Sequence, residues 1–297
     1  MKEWIRAARL RTLPLSVSGI IVGSFYALSK GYFNGLIFTL ALLTTIGFQV
    51  VSNFANDYGD GVKGTDSKHR IGPQRAIQSG KISPTQMKRG ILISCVISLL
   101  LTLWLILESF GKDHFFYPLL FLVLGITSIV AALKYTIGNS AYGYKGLGDI
   151  FVFLFFGLLS VLGCYFLYTQ QFSWHLLLPA SAIGLLSCGV LNLNNLRDED
   201  SDRISNKNTL IVKMGGKNGR KYHYILIISS LICLILFGIF EQFKPLQYLF
   251  LLGYLPVLLH LKRINGYTQP KQYDPELKAL ALSTFLISIL LSVFLNI

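Results

Sequence analysis

Charged side chains are scarce in this chain of 297 residues. Asp, Glu, Lys and Arg together make up 14% of it, where a soluble domain carries about 25%. Hydrophobic residues make up 53%, and the mean hydropathy is +0.55. That combination excludes a water-soluble globule. Cysteine is nearly absent too. Cys95, Cys164, Cys188 and Cys233 stand far apart inside apolar runs, so neither a disulfide framework nor a Cys-based zinc site is encoded. Histidine is limited to His69, His114, His175, His223 and His260, scattered and read as structural or solvated. Acid is the rarer charge, with 14 residues against 27 Lys and Arg. A net charge of +13 invites nucleic acid, but the basic residues are dispersed over many connections, and no nucleic-acid partner is expected.

What the chain has instead is long apolar runs. About 20 apolar residues cross a hydrocarbon core, and nine stretches qualify as candidate spans: 12–29, 34–56, 90–110, 115–133, 148–168, 175–196, 224–240, 246–261 and 277–296. This predicts an all-α, polytopic bundle of about nine transmembrane helices embedded in the lipid bilayer, forming a single domain over 1–297. All Lys and Arg except Lys30, Lys112 and Lys244 fall in one alternate set of connections, which puts that set and the N-terminus on the cytoplasmic side. The basic start, Met1 to Arg11, precedes an apolar run that ends at Ser29-Lys30-Gly31 without a small-x-small cleavage site. It reads as a retained first span rather than a signal peptide.

Two of the cytoplasmic connections are long, about 58–89 and 197–223, and each follows an acidic cluster. Seven of the 14 acidic residues lie there: Asp57, Asp60, Asp66, Asp198, Glu199, Asp200 and Asp202. The second span ends with Gln49, Asn53, Asn56, Asp57 and Asp60, and the sixth with Asn192, Asn195, Asp198 and Asp202. Steps of three and four residues put such groups on one helix face. Each helix would therefore carry a polar stripe down its cytoplasmic end, and the two stripes suggest a quasi-duplicated bundle with a shared cavity.

Crowded carboxylates repel one another unless a cation sits between them. An oxygen-only ligand set selects hard ions, and Mg²⁺ typically binds through one or two carboxylates together with substrate phosphates. Two facing clusters could hold Mg²⁺ on one diphosphate, with Lys63, Arg70, Arg75, Arg197, Arg203 and Lys207 available to neutralise the remaining charge. The amides of Asn53 and Asn192, deeper in the membrane, need partners that a bound ligand could supply. The plainer reading is that carboxylates at a membrane edge are solvated or paired with loop Lys and Arg. Two clusters, each backed by an intramembrane Asn, favour the metal site. Gly215-Gly216-Lys217-Asn218-Gly219-Arg220-Lys221 lacks the spacing and the Ser/Thr of a phosphate loop and reads as a basic turn.

The stretches Asn53-Phe-Ala-Asn56-Asp57-Tyr58-Gly59-Asp60, continuing through Lys63 to Asp66, and Asn192-Leu-Asn-Asn195-Leu-Arg197-Asp198-Glu-Asp-Ser-Asp202 resemble the two Asp-rich signatures of the UbiA superfamily of membrane-intrinsic aromatic prenyltransferases. The resemblance covers essentially the whole chain. Ala8 to Pro14, Arg70-Ile71-Gly72-Pro73-Gln74-Arg75, Tyr144 to Asp149 and Lys207-Asn208-Thr209-Leu210 are similar to the branch of that superfamily that prenylates 1,4-dihydroxy-2-naphthoate in menaquinone biosynthesis. Position 64 is Gly where the general pattern has its last Asp, and Asp66 takes that place as in the naphthoate branch.

The resemblance implies a Mg²⁺-dependent prenyltransferase of the inner (cytoplasmic) membrane, with its active site on the cytoplasmic side. Asp57, Asp60, Asp198 and Asp202 would hold the metal on a polyprenyl diphosphate, with Asp66 assisting. Asn53, Lys63, Arg70, Tyr144, Lys145, Asn195, Arg197 and Lys207 would bind substrate. Loss of CO₂ and diphosphate would give demethylmenaquinone. Tyr135, Tyr142 and Tyr144 could line the path of the allylic cation. The alternatives are a sister enzyme using another aromatic acceptor and a cation-coupled secondary transporter.

Overall fold

The structure, a computed structural model, describes residues 2–64, 71–72, 74–111 and 115–297. Asp66 and Arg70 lie outside the described residues. Helices account for the architecture, and no strand occurs among the described residues. In chain order they are α1 (Lys2–Ala8), α2 (Leu13–Ser29), α3 (Gly35–Val62), α4 (Pro84–Phe110), α5 (Phe116–Lys134), α6 (Gly148–Thr169), α7 (Leu177–Ile204), α8 (Leu210–Met214), α9 (Gly216–Phe240), α10 (Leu255–Asn265) and α11 (Asp274–Leu295).

Local chemistry sets several boundaries. Asn34 caps α3 by accepting the N–H groups of Leu36 and Ile37. Ser83 and Gln86 form a reciprocal capping box at the start of α4, with Pro84 in the first turn, where its missing N–H costs nothing. α6 winds as a π-helix over Phe153–Gly163, a rare geometry that often marks functional sites.

Every stretch expected to span is helical, but not every one is a single α-helix. Among the described residues, seven helices are long and apolar enough to cross a membrane, and α2 joins them when taken together with α1, to which it is bent by 54°. The stretch expected at 246–261 divides into a 3₁₀ segment, Pro245–Tyr254, and the 11-residue α10. Pro256 explains the division, because a proline ring clashes with the carbonyl four residues back and cannot donate to it.

α7 is the hub. In the helical stretch Trp174–Ile204, 72% of the apolar window is buried against protein, compared with 11% for α5. α6, α9 and α11 pack around it, α3 lies along α4, and α11 returns beside α2. The most extensive core lies where α7, α9 and α11 meet, with Ile183, Leu186, Leu193, Ile227, Leu280 and Ile287 fully buried. At the crossing of α6 and α7, Gly157 and Gly184 let the backbones touch. A Cβ on Gly157 would lie 2.7 Å from both the Ala180 carbonyl oxygen and the Gly184 Cα.

A buried polar network ties α9, α10 and α11. Glu276 accepts from Arg263 Nε and Nη2 at 2.7 and 2.8 Å and from Tyr267 at 2.6 Å, and it lies 2.6 Å from His260 Nδ1. His260 Nε2 meets His223 Nε2 at 2.9 Å. Two of the histidines that look scattered in sequence are thus structural partners. Glu276→Ala leaves several of these groups unpaired at a site where Glu276 is only 4% exposed, so it is expected to cost about 3 kcal/mol. Thermal unfolding in detergent measures this, and an unchanged midpoint would show that the network contributes nothing.

Candidate active site

The C-terminal ends of α3 and α7 reach the same end of the bundle. Lys207, just beyond α7, places its ammonium 3.8 Å from Asp60 and 3.7 Å from Asp202, joining the two acidic clusters. Burial disfavours the charged lysine, but the Asp60 and Asp202 carboxylates outweigh it and raise the Lys207 pKa above the ordinary value. Tyr144 donates to the other Asp60 oxygen at 2.7 Å. The ring of Tyr144 lies under two cations, Lys63 at 4.0 Å and Lys207 at 5.5 Å.

Guanidinium groups line the rest of the acid. Arg75 Nη1 donates to Asp60 at 2.7 Å and to the Asn56 carbonyl at 2.8 Å, and its Nε lies 3.6 Å from Asp57. Arg9 Nη2 donates to Asp57 at 2.7 Å, and the Ala76 N–H adds a longer bond of 3.3 Å. Arg197, 2% exposed, grips both oxygens of Asp198 at 2.8 and 2.7 Å, and also reaches Asp274 at 2.6 Å and Asn194 at 2.9 Å.

Arg9 sits at the break between α1 and α2 with φ +53, a left-handed conformation that costs a non-glycine residue about 1 kcal/mol. Asn53 holds the same break from α3 by donating its amide to the Ala8 carbonyl at 2.8 Å, while Gln49 donates to Asn53 at 3.2 Å. Asn53 is therefore satisfied within the protein. Asn192 differs, because both of its side-chain amide atoms are buried without a hydrogen-bond partner among the described residues.

The structure gathers Asp57, Asp60, Asp198, Asp202, Asn53, Tyr144, Arg197 and Lys207 at this end, with Asn195 buried on α7. Lys63 is at its edge, donating to the Gly138 carbonyl at 2.9 Å, and burial lowers its pKa despite the pull of Asp60. Lys145 does not line the cavity. Its side chain is exposed, and its carbonyl accepts from Lys213 at 2.6 Å. Arg9 and Asp274 are the residues that sequence reasoning missed, whereas Asn56 was placed in the polar stripe but given no role of its own. Arg9 stood in sequence as a topology determinant within a family-like stretch, with no role at the site, and Asp274 lies 77 positions from its partner Arg197.

The acid–base cluster forms the mouth of a cavity of about 360 Å³. Arg9, Asp60, Arg75 and Lys207 line its polar end, with Asn53, Asn56 and Asn194 nearby. The rest is mainly aromatic and aliphatic, including Phe121, Phe151, Phe155, Leu159 and Leu167. Tyr135 and Tyr142 stand near the mouth with ring centroids 5.3 Å apart, and Tyr142 stacks on Phe151 at 3.9 Å. Such a cavity suits a ligand with a polyanionic head and an apolar tail.

The donor set also fits a hard divalent cation. It consists of carboxylate oxygens plus Asn56 Oδ1, which is buried and has no partner among the described residues. No three acidic, His or Cys groups among the described residues already converge on one metal position. Arginine and lysine nitrogens lie between the carboxylates instead.

Comparisons with known proteins identify the family and the fold. A model of the UbiA prenyltransferase family matches residues 16–289. A 1,4-dihydroxy-2-naphthoate octaprenyltransferase of Escherichia coli (strain K12) is 43% identical over 297 residues, covering 99% of this chain and 96% of that protein. One from Haemophilus influenzae is also 43% identical, covering 98% and 95%. Among solved structures, a UbiA homolog from Archaeoglobus fulgidus bound to GPP and Mg²⁺ superposes with a TM-score of 0.68 at 14% identity, covering 98% of this chain and 99% of that one. The apo structure of a UbiA homolog from Aeropyrum pernix K1 gives 0.69 at 13% identity, covering 95% and 99%.

Proposed function

This chain belongs to the UbiA prenyltransferase family, and from that premise we propose that it transfers a polyprenyl group from polyprenyl diphosphate to 1,4-dihydroxy-2-naphthoate. The products are diphosphate, CO₂ and demethylmenaquinone, formed at the hydroquinone level. The observation that carries this reading is Lys207 set between Asp60 and Asp202 at the mouth of an otherwise apolar cavity. The identity to two dihydroxynaphthoate octaprenyltransferases supports the choice of acceptor. The whole of 1–297 acts as one multi-pass unit. Its polar end faces the cytoplasm of the inner (cytoplasmic) membrane, a placement supported by the distribution of basic residues.

In this reading Asp57, Asp60, Asp198 and Asp202, with Asn56, would hold Mg²⁺, and the family resemblance extends that role to Asp66 and a substrate-binding role to Arg70. The A. fulgidus homolog bound to GPP and Mg²⁺ supports the metal. When bound, the metal supplies electrophilic stabilisation of charge on the leaving diphosphate. Arg9, Arg75 and Lys207 line the same end and turn from carboxylates to phosphate oxygens, countering the charge that develops as the C–O bond breaks. The Tyr135 and Tyr142 rings offer their faces to the allylic carbon. The naphthoate ring carbon bearing the carboxylate forms the new C–C bond, and the electrons of the departing CO₂ restore the aromatic ring. The apolar wall shields the allylic cation from water.

The test is mass identification of the product made by purified protein from dihydroxynaphthoate and mixed prenyl diphosphates with Mg²⁺. Prenylation of 4-hydroxybenzoate or homogentisate, with none of dihydroxynaphthoate, would move the chain to a sister activity. Lys217→Ala, an exposed change in the basic turn, should leave turnover within about twofold of the unaltered protein. A large loss would show that this turn handles phosphate.

A further inference from the structure

The bonding of Arg197 has a second end that prenyl transfer by itself does not require. Its guanidinium is enclosed, with side-chain exposure of 1%. It divides its donors between Asp198 on α7 and Asp274 in the first turn of α11, with Asn194 taking a third direction. Leu277, one helical turn beyond Asp274, lines the cavity, so this turn of α11 forms part of the cavity wall. Asp274 is one-third exposed on its side chain and lies outside both acidic clusters.

We infer that Asp274 is a positioning residue for the diphosphate head-group site: it anchors Arg197, so that Asp198 can exchange its guanidinium partner for a divalent cation. The inference rests on the functional reading above. An enclosed guanidinium needs a carboxylate wherever it sits, because a buried charge left unpaired is the costly case. With Asp274 present, Arg197 keeps one carboxylate when Asp198 turns to the metal. Without Asp274, the same turn strands the cation. Arg197 then competes with the metal for Asp198, and the head group binds less tightly. The short Arg197–Asp274 contact of 2.6 Å and the nearly complete enclosure of Arg197 are what this role requires.

The experiment uses the full chain in lipid nanodiscs and reads binding of inorganic diphosphate with Mg²⁺ by calorimetry, alongside steady-state kinetics. Asp274→Asn is expected to weaken that binding about tenfold and to raise KM for the prenyl diphosphate by a similar factor. At saturating Mg²⁺, kcat should stay within about twofold of the unaltered protein, and Asp274→Glu should restore the affinity. Arg197→Gln removes the competitor, so adding Asp274→Asn in that background should change binding no further. Unaltered binding in Asp274→Asn, with or without a lower melting temperature, overturns the inference, as do additive effects in the double variant. If Arg197→Gln does not fold, the comparison of Asn with Glu at position 274 decides by itself. Absence of Mg²⁺–diphosphate binding in the unaltered protein overturns the functional reading along with this inference, whereas normal binding in both it and Asp274→Asn overturns this inference alone.

Discussion

Asp60→Ala is expected to reduce Mg²⁺-dependent prenyl transfer by about 10³-fold or more, with the protein still folded in detergent. Asp60 receives Tyr144 on one oxygen and Arg75 on the other, with Lys207 at 3.8 Å. Removing the carboxylate deletes a proposed metal ligand and leaves two cations facing each other across the cavity mouth. The mouth lies at one end of the bundle, away from the core that α7 forms with α9 and α11, so the loss should fall on chemistry rather than on folding. Asp57→Ala and Asp198→Ala should behave in the same way, because each removes a proposed metal ligand and a carboxylate that accepts from a guanidinium. Turnover measured with size-exclusion chromatography on the same sample separates the two effects. Full activity in any of the three would falsify the shared site.

Gly157→Leu should have the largest effect on stability. Ala180 and Gly184 on α7 already touch the Gly157 backbone, so a side chain there must push α6 off the central helix, and overpacking of this kind costs about 3 kcal/mol or more. α6 also carries Phe155 and Leu159 into the cavity, so any protein that folds should bind the prenyl tail poorly. Gly35→Ala is the control. No atom lies within 4 Å of a Cβ there, and Ala is the better helix former, so it should be neutral or slightly stabilising. Equal melting temperatures for Gly157→Leu and Gly35→Ala would show that the crossing tolerates separation.

The hydrophobic runs that mark α3 through α7 are legible in sequence because lipid demands an unbroken apolar length that few other environments impose. The Asp clusters are equally legible, because acid is rare in this chain and falls in two places. What hydropathy cannot show is how an apolar stretch is wound. The window at 246–261 is apolar throughout, and Pro256 divides it. The partners of polar groups were also hidden. Asn53 looked like a group waiting for a ligand and instead holds the Ala8 carbonyl, a contact between residues 45 positions apart. Arg9 could be read as one more cytoplasmic cation until its fold placed it on Asp57. Lys145 sits in a stretch similar to the family, yet its side chain is exposed and is not among those that line the cavity. Spacing along a helix reports which face a residue occupies, but not which remote segment will meet it.

The distribution of the clasping residues along the chain has a consequence for biosynthesis. Arg9 is made before α3 supplies Asp57, and Arg197 before α11 supplies Asp274. An emerging chain therefore carries half-finished charge pairs until α11 enters the membrane. A polypeptide that stalls or is cut before α11 holds Arg197 with a single acid, and by the inference above its grip on the prenyl donor is weakened. Under that inference, the head-group site is complete only once α11 has packed against α7.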